Sequence, residues 1–444
     1  MSLLRYLENI ELRSFHYKIL VIAFLAYMLT AMNVLLISGI LKRIGTELVL
    51  NQMQLSYLLS SGFVGMFMGA VLYGRLADIV GRKISLITAI VLHGIFTALC
   101  GTTHNYTLML LYRFIAGIGL GGALPIPGVY VSEYIPARYR GTFVGLIETA
   151  WVWGTILSLI IPLLFLRTID WEGVFLWGLL ALVLIPFIIA FLPESIRYLE
   201  EKGRIEEALR VLKQYGLVKG EVKIEPSLVR RKVHWSELIK GEYAKRTLLL
   251  TSLWFILVYT YYGVFLWLPK ILSDRYSLFS ALLWSILIVL AQIPGYYSAA
   301  FLLDRLGRRK VLIYYLIGAS IGSIIVGLAD YWEVAIINIG TYSIGLMLLL
   351  GFILISFFNL GAWSGLYVYT PELYPTEYRG TGAGIAAAVG RIAGILSPII
   401  TGYLQLGGLT LAYVVFFIAH LLGGLLVFLL GPETKGLILE EISK

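Results

Sequence analysis

The sequence predicts an all-α membrane protein with twelve transmembrane helices in two pseudo-symmetric six-helix bundles. Three observations carry that prediction. Apolar residues make up 59% of the 444-residue chain and charged residues only 14%, against roughly 25% charged in a soluble domain, and the mean hydropathy is +0.86. Apolar runs of about 20 residues recur along the chain, the length that crosses ~30 Å of hydrocarbon. Loop signatures occur twice. Asp78-Ile79-Val80-Gly81-Arg82-Lys83 returns as Asp304-Arg305-Leu306-Gly307-Arg308-Arg309-Lys310, and the Glu, Pro, Tyr, Arg, Gly and Thr of 133–142 return in 372–381. Repeated halves in an apolar chain point to a transporter.

The expected spans are 19–41, 54–77, 84–101, 106–131, 142–166, 172–192, 246–269, 279–303, 310–329, 337–369, 381–404 and 408–430. The tenth is too long for one straight crossing, so its first residues are expected at the interface or in a loop. Three parts follow: an N-terminal six-span bundle (1–192), a cytoplasmic linker with short helices (193–245), and a C-terminal six-span bundle with a tail (246–444). Within the linker, Ile205, Ala208, Leu209 and Leu212 repeat at helical spacing, and Gly216 is placed to end that helix.

Basic residues set the orientation. Of the 35 Lys and Arg, only Lys42, Arg43, Arg167, Lys270 and Arg275 fall on outer segments, and Arg113 and Arg391 fall within spans. The rest lie on one side, which places both termini in the cytoplasm of a multi-pass cell-membrane protein. The net charge of +9 is therefore topological and implies no nucleic-acid partner. The polar first 18 residues lead to no small-residue cleavage site, so no cleavable signal is expected. Cys100 is the one cysteine and allows no intrachain disulfide. No phosphate-binding loop is present, which leaves ATP-driven transport unsupported. The expected protein is a monomer in the bilayer, binding a small molecule and protons, without cofactor or metal.

A charge inside a bilayer is expensive and needs an account. Glu148 is the one acid deep in a span, seven residues past Gly141 and about 10 Å along a helix. It reads as a proton or substrate-cation site, or as a permanent partner to a neighbouring span. Arg391 lies eleven residues past Gly380, ~16 Å deep. Through the repeat it corresponds to Val152, one turn from Glu148 on the same helix face. It can bind a substrate carboxylate by charge-assisted hydrogen bonds or tie its span to a neighbour's carbonyls. Arg113 lies closer to the outer interface, where it can snorkel. Gly117, Gly119, Gly121 and Gly122 allow close helix approach. His93 and His420 lack metal-ligand partners at suitable spacing and are expected to pack.

At these residues the chain resembles the major facilitator superfamily across nearly its whole length. Gly74-Arg75-Leu76-Ala77-Asp78-Ile79-Val80-Gly81-Arg82-Lys83 looks like that superfamily's loop motif between the second and third spans. Arg113, Gly117, Gly119 and Pro125 look like its fourth-span motif, and Pro193-Glu194-Ser195-Ile196-Arg197-Tyr198-Leu199 like the segment after the sixth span. Tyr261-Tyr262-Gly263, Trp267-Leu268-Pro269, Glu148 with Trp151 and Gly154, and Gly390-Arg391-Ile392-Ala393-Gly394 resemble the nicotinate, aromatic-acid and organic-ion branch. The loop motifs match sugar porters equally well. That branch often has first-span carboxylates; here Thr30-Ala31-Met32-Asn33 offers none, and Asn33 is the polar residue at that point.

The resemblance implies alternating access and assigns roles. Arg113 joins Glu148 in proton coupling. Asp78, Gly81, Arg82 and Glu133 with Arg140, and their repeats Asp304, Gly307, Arg308 and Glu372 with Arg379, form a cytoplasmic latch. There Asp78 is expected near the start of span eleven and Asp304 near the start of span five, where free N–H groups favour an anion. Spans seven and ten line the path in this superfamily, which makes Tyr259, Tyr262, Trp363 and Tyr367 candidate substrate contacts beside Arg391, Asn33, Gln292 and Asn359. The expected function is proton-coupled symport of a small organic solute, an organic or aromatic carboxylate. The alternatives are a sugar or polyol porter, with Gln292, Asn359 and Trp363 on hydroxyls and ring, and a non-transporting membrane sensor.

Overall fold

The computed structural model describes residues 10–215, 217, 237–238, 240–332, 335–375 and 377–436. It is helical throughout apart from one hairpin. Helix α1 (Ser14–Leu35) passes through a 3-10 segment (Leu36–Ile40) into α2 (Leu41–Glu47), followed by α3 (Gln52–Val80) and α4 (Arg82–Leu99). Gly81 between α3 and α4 has φ +100°, a value that a residue without Cβ adopts at no steric cost. α5 (Tyr106–Ala123) is capped by Asn105, whose side chain accepts from Leu108 N, and continues as α6 (Pro125–Tyr134). α7 (Ala137–Leu176) is followed by a 3-10 segment (Trp177–Val183), α8 (Leu184–Phe191), α9 (Ile196–Glu201) and α10 (Ile205–Gln214).

The second half repeats this order. α11 (Gly241–Phe265) and α12 (Leu268–Ser273) form one crossing, and α13 (Leu278–Leu290) and α14 (Gln292–Leu306) the next. Then come α15 (Arg308–Leu328), a hairpin of β1 (Ile336–Ile339) and β2 (Tyr342–Gly345), α16 (Leu346–Glu372), α17 (Arg379–Leu406) and α18 (Leu409–Leu430).

Three expectations gain detail. The tenth span begins at Leu346, because 336–345 pair as antiparallel strands with Ile336 opposite Gly345. Gly340 at φ +61° supplies the turn. The fifth and sixth spans form one helical run, broken at Asp170 (φ 48°, ψ −171°) rather than by a loop. The linker helix is α10, with Ala208 and Leu212 fully buried; the proposed stop at Gly216 and most of the linker beyond it lie outside the described residues.

The chain forms two compact units. One comprises Met1–Leu36, Val64–Ile161 and Phe165–Arg230; the other comprises Ile37–Phe63, Pro162–Leu164 and Arg231–Lys444. In the first, α3 and α5 pack backbone to backbone: a Cβ on Gly65 would sit 2.0 Å from Phe114 O, and one on Gly121 would sit 2.1 Å from Met66 O. That is the close approach that small residues permit between membrane helices. In the second, α15 packs on α16 and α18, and α11 on α17.

Candidate functional site

Each unit carries a charge cluster at the loop signature. In the first, the Glu194 carboxylate accepts from the backbone N–H of Arg82 (2.8 Å) and Lys83 (3.3 Å) at the start of α4, where free N–H groups favour an anion. Ser195 Oγ donates to Glu133, Arg82 lies 4.0 Å from Glu133 and 3.3 Å from Asp78, and Tyr198 OH donates to Ile79 O. In the second, Glu433 accepts from Arg308 N at 2.8 Å. Arg308 grips Glu372 through Nε and an Nη at 3.0–3.2 Å, and Thr434 Oγ1 donates to Glu372 at 2.6 Å.

Glu194 and Glu433 were missed as site residues, although the sequence carried the signal. Pro193-Glu194-Ser195 and Pro432-Glu433-Thr434 stand at the same spacing that relates Glu133 to Glu372. Asp78 and Asp304 are 69% and 84% exposed at the side chain, each paired with the arginine four residues on. Arg379 Nε donates to Pro371 O, and Arg140 is half-buried.

The membrane part of the first unit holds Glu148, Asn33 and Arg113. Tyr27 OH donates to Glu148 at 3.0 Å. Asn33 is fully buried; its Nδ2 lies 2.9 Å from His93 Nδ1 and donates to Gly178 O at 3.2 Å. Arg113, only 2% exposed, points its guanidinium at the carbonyls of Asn33 and Val34, 3.5 Å away. Those carbonyls end α1, where a cation is favoured. His93 and His420 do more than pack: His420 meets Asn359 at 3.1 Å and Ser323 at 3.3 Å.

The second unit brings Arg391, Tyr262, Trp363 and Tyr367 into one neighbourhood. Arg391, on α17, is half-buried and makes no hydrogen bond or ion pair among the described residues. It lies within electrostatic range of Tyr262, whose ring meets Phe63 at 4.4 Å. Gly390 packs against Trp254 and Val258. Trp254, which sequence reasoning did not single out, contacts Trp363 and Tyr367, ring centroids 5.3 and 5.7 Å away. On α16, Ser356, Asn359, Trp363 and Tyr367 share one helix face.

The remaining candidates sit deeper. Asn359 is fully buried and donates to Thr260 at 2.9 Å. Tyr259 is buried with its ring on Phe416 and its carbonyl accepting from Ser397. Gln292 is fully buried at the start of α14, with neither amide atom hydrogen-bonded among the described residues.

The chain is similar in sequence and fold to known transporters. Residues 12–444 match the family model described as sugar (and other) transporter. A niacin transporter of Acinetobacter baylyi is 36% identical over 451 residues, covering 100% of both chains. The synaptic vesicle 2-related protein of Bos taurus is 27% identical, covering 98% of this chain and 82% of its own. The inward-open xylose transporter of E. coli superposes with a TM-score of 0.75 at 20% identity, covering 96% of this chain and 99% of its own; this likeness concerns the fold.

Proposed function

We propose, on the premise that the chain belongs to the sugar (and other) transporter family of the major facilitator superfamily, that this membrane transporter of small organic solutes carries an aromatic carboxylate such as nicotinate by proton-coupled symport. The observation that carries the reading is Arg391: a cation in an apolar span, half-buried, without a hydrogen bond or ion pair among the described residues, near Tyr262 and next in sequence to Gly390, which packs on Trp254. A buried charge is costly without a partner, and a substrate carboxylate is the partner a guanidinium fits with two parallel donors. The niacin-transporter relative supports the same substrate class.

In this reading Glu148, held by Tyr27, is the proton site, and Arg113, aimed at the carbonyls of Asn33 and Val34 on the same helix α1, joins it in coupling. The two loop clusters act as the cytoplasmic latch of alternating access, with Asp78 and Asp304 exposed to meet partners. The protein works as a monomer in the cell membrane with both termini inside. The parts that rock are the two six-span halves, 1–192 and 246–444, joined by 193–245.

Purified protein in proteoliposomes tests this. Nicotinate should exchange in counterflow, and an inward proton gradient should drive its accumulation. Glu148→Gln mimics the protonated acid in shape and charge; it should keep counterflow and lose accumulation. A Glu148→Gln variant that still accumulates nicotinate with normal pH dependence makes Glu148 structural. Gln292, buried with its amide unbonded among the described residues, favours a second reading in which sugar or polyol hydroxyls are bound. Competition by xylose but not benzoate would select it, and binding without counterflow would select a sensor.

A further inference from the structure

Trp254, Trp363 and Tyr367 form a closed trio in the second unit. Trp254 stands at 84° to Trp363 and 88° to Tyr367, while Trp363 and Tyr367, one turn apart on α16, are tilted by 35° with centroids 5.4 Å apart. The trio therefore presents one aromatic wall and one ring set at a right angle to it. Trp254 is fixed in that plane at both ends. Its Nε1–H donates to Thr370 Oγ1 at 3.0 Å, and its Cε3 edge lies 3.1 Å from where a Cβ on Gly390 would stand. Gly390 immediately precedes Arg391, so the anchored indole abuts the residue before that cation. Trp254 and Tyr367 are only partly buried, which leaves ring surface for another molecule.

We propose that Trp254 is a specificity-determining residue that selects a flat ring on the substrate. The proposal rests on the carboxylate reading for the position of the substrate's charged end. A planar ring stacked on the Trp363–Tyr367 wall turns its edge toward the Trp254 face, and offset-stacked plus edge-to-face contact is the arrangement aromatic quadrupoles favour. A puckered saturated ring of equal size cannot lie flat on the wall, and its edge carries no comparable positive charge toward the indole. The carboxylate is then read by Arg391 and planarity by Trp254.

The test is competition in counterflow or direct binding with two matched pairs: nicotinate against cyclohexanecarboxylate, and nicotinamide against cyclohexanecarboxamide. Wild type should prefer the flat member of each pair. Trp254→Leu should reduce that preference by about two- to tenfold through weaker binding of the aromatic member. Trp254→Phe, which keeps a ring, should retain most of it. Should Trp254→Leu fail to fold, Gly390→Ala displaces the indole without removing it and should lower the same ratio. A ratio unchanged in a folded Trp254→Leu, or an equal loss for both members of each pair, overturns the proposal. Failure of the carboxylate reading looks different: Arg391→Ala would leave nicotinate binding unchanged while the carboxamide pair still responded to Trp254.

Discussion

Arg113 and Arg391 both lie within apolar spans, yet the fold treats them differently. Arg113 is 2% exposed, set on the glycine-bearing helix α5 and aimed at the two carbonyls that close α1. Its charge is used inside the protein, where the end of a helix offers partial negative charge. Arg391 is half-buried, near Tyr262 and with no internal acceptor among the described residues. A cation aimed at backbone carbonyls stabilises structure, whereas one left without an acceptor in an apolar setting is suited to take one from a ligand. In the proposed reading the same residue type thus serves as a fastener in one unit and a binding group in the other.

The largest expected break in this contrast is at Arg391. Arg391→Lys keeps the charge but loses the paired donors, and Arg391→Ala loses both. Nicotinate affinity should fall by ~1.5–3 kcal/mol in the alanine variant, with the lysine variant between it and wild type. Thermal unfolding should move little in either, because no hydrogen bond or ion pair among the described residues is removed. Arg113→Met should show the reverse pattern. Losing a buried cation at a helix end costs up to about 2 kcal/mol, so the unfolding midpoint should drop while the folded fraction keeps its nicotinate affinity. A ligand-binding defect in Arg113→Met without loss of stability would dissolve the distinction.

Much of this contrast was legible in the sequence, and part was not. A charge interrupting an apolar run is visible at once, so both arginines and Glu148 stood out. What each charge meets depends on helices distant in sequence. Asn33 O, Val34 O and Tyr27 OH become neighbours only through the packing of α1 on the rest of its unit. The loop signatures announced Gly81, Gly307 and their arginines as parts of a cytoplasmic latch. The carboxylates that cap α4 and α15 went unread, although Pro-Glu-Ser and Pro-Glu-Thr repeat with the halves. Trp254 was hidden for a different reason: with 14% aromatic residues, depth in a span does not single one out, and only ring-to-ring geometry does. The 336–345 hairpin was masked because its isoleucines extend the apolar pattern of the helix that follows.

A third kind of charge sharpens the comparison outside the bilayer. Asp274 is bonded by Lys270 at 2.8 Å and paired with Lys42. Burial alone would raise its carboxyl, but the hydrogen bonds and charges of Lys270 and Lys42 outweigh that and hold it below the ordinary carboxylate value. A depressed acid stabilises the fold above its unfolded value, about pH 3.9, and that contribution is lost as pH falls through the folded value. The stability difference between wild type and Asp274→Asn should therefore be present at pH 7 and vanish in strong acid. Since the pair is well exposed to solvent, which screens it, the difference should not exceed ~1 kcal/mol. A difference that grows on acidification would contradict the pairing.

The central claim, that Arg391 holds the substrate carboxylate, is tested most directly by a two-by-two binding measurement: nicotinate and nicotinamide, each against wild type and Arg391→Ala. Removing the guanidinium and removing the carboxylate delete the same contact from opposite sides, so the two changes should not add. Arg391→Ala should weaken nicotinate by ~1.5–3 kcal/mol and leave nicotinamide nearly unchanged. Equal losses for both ligands, or no loss for nicotinate, would contradict it.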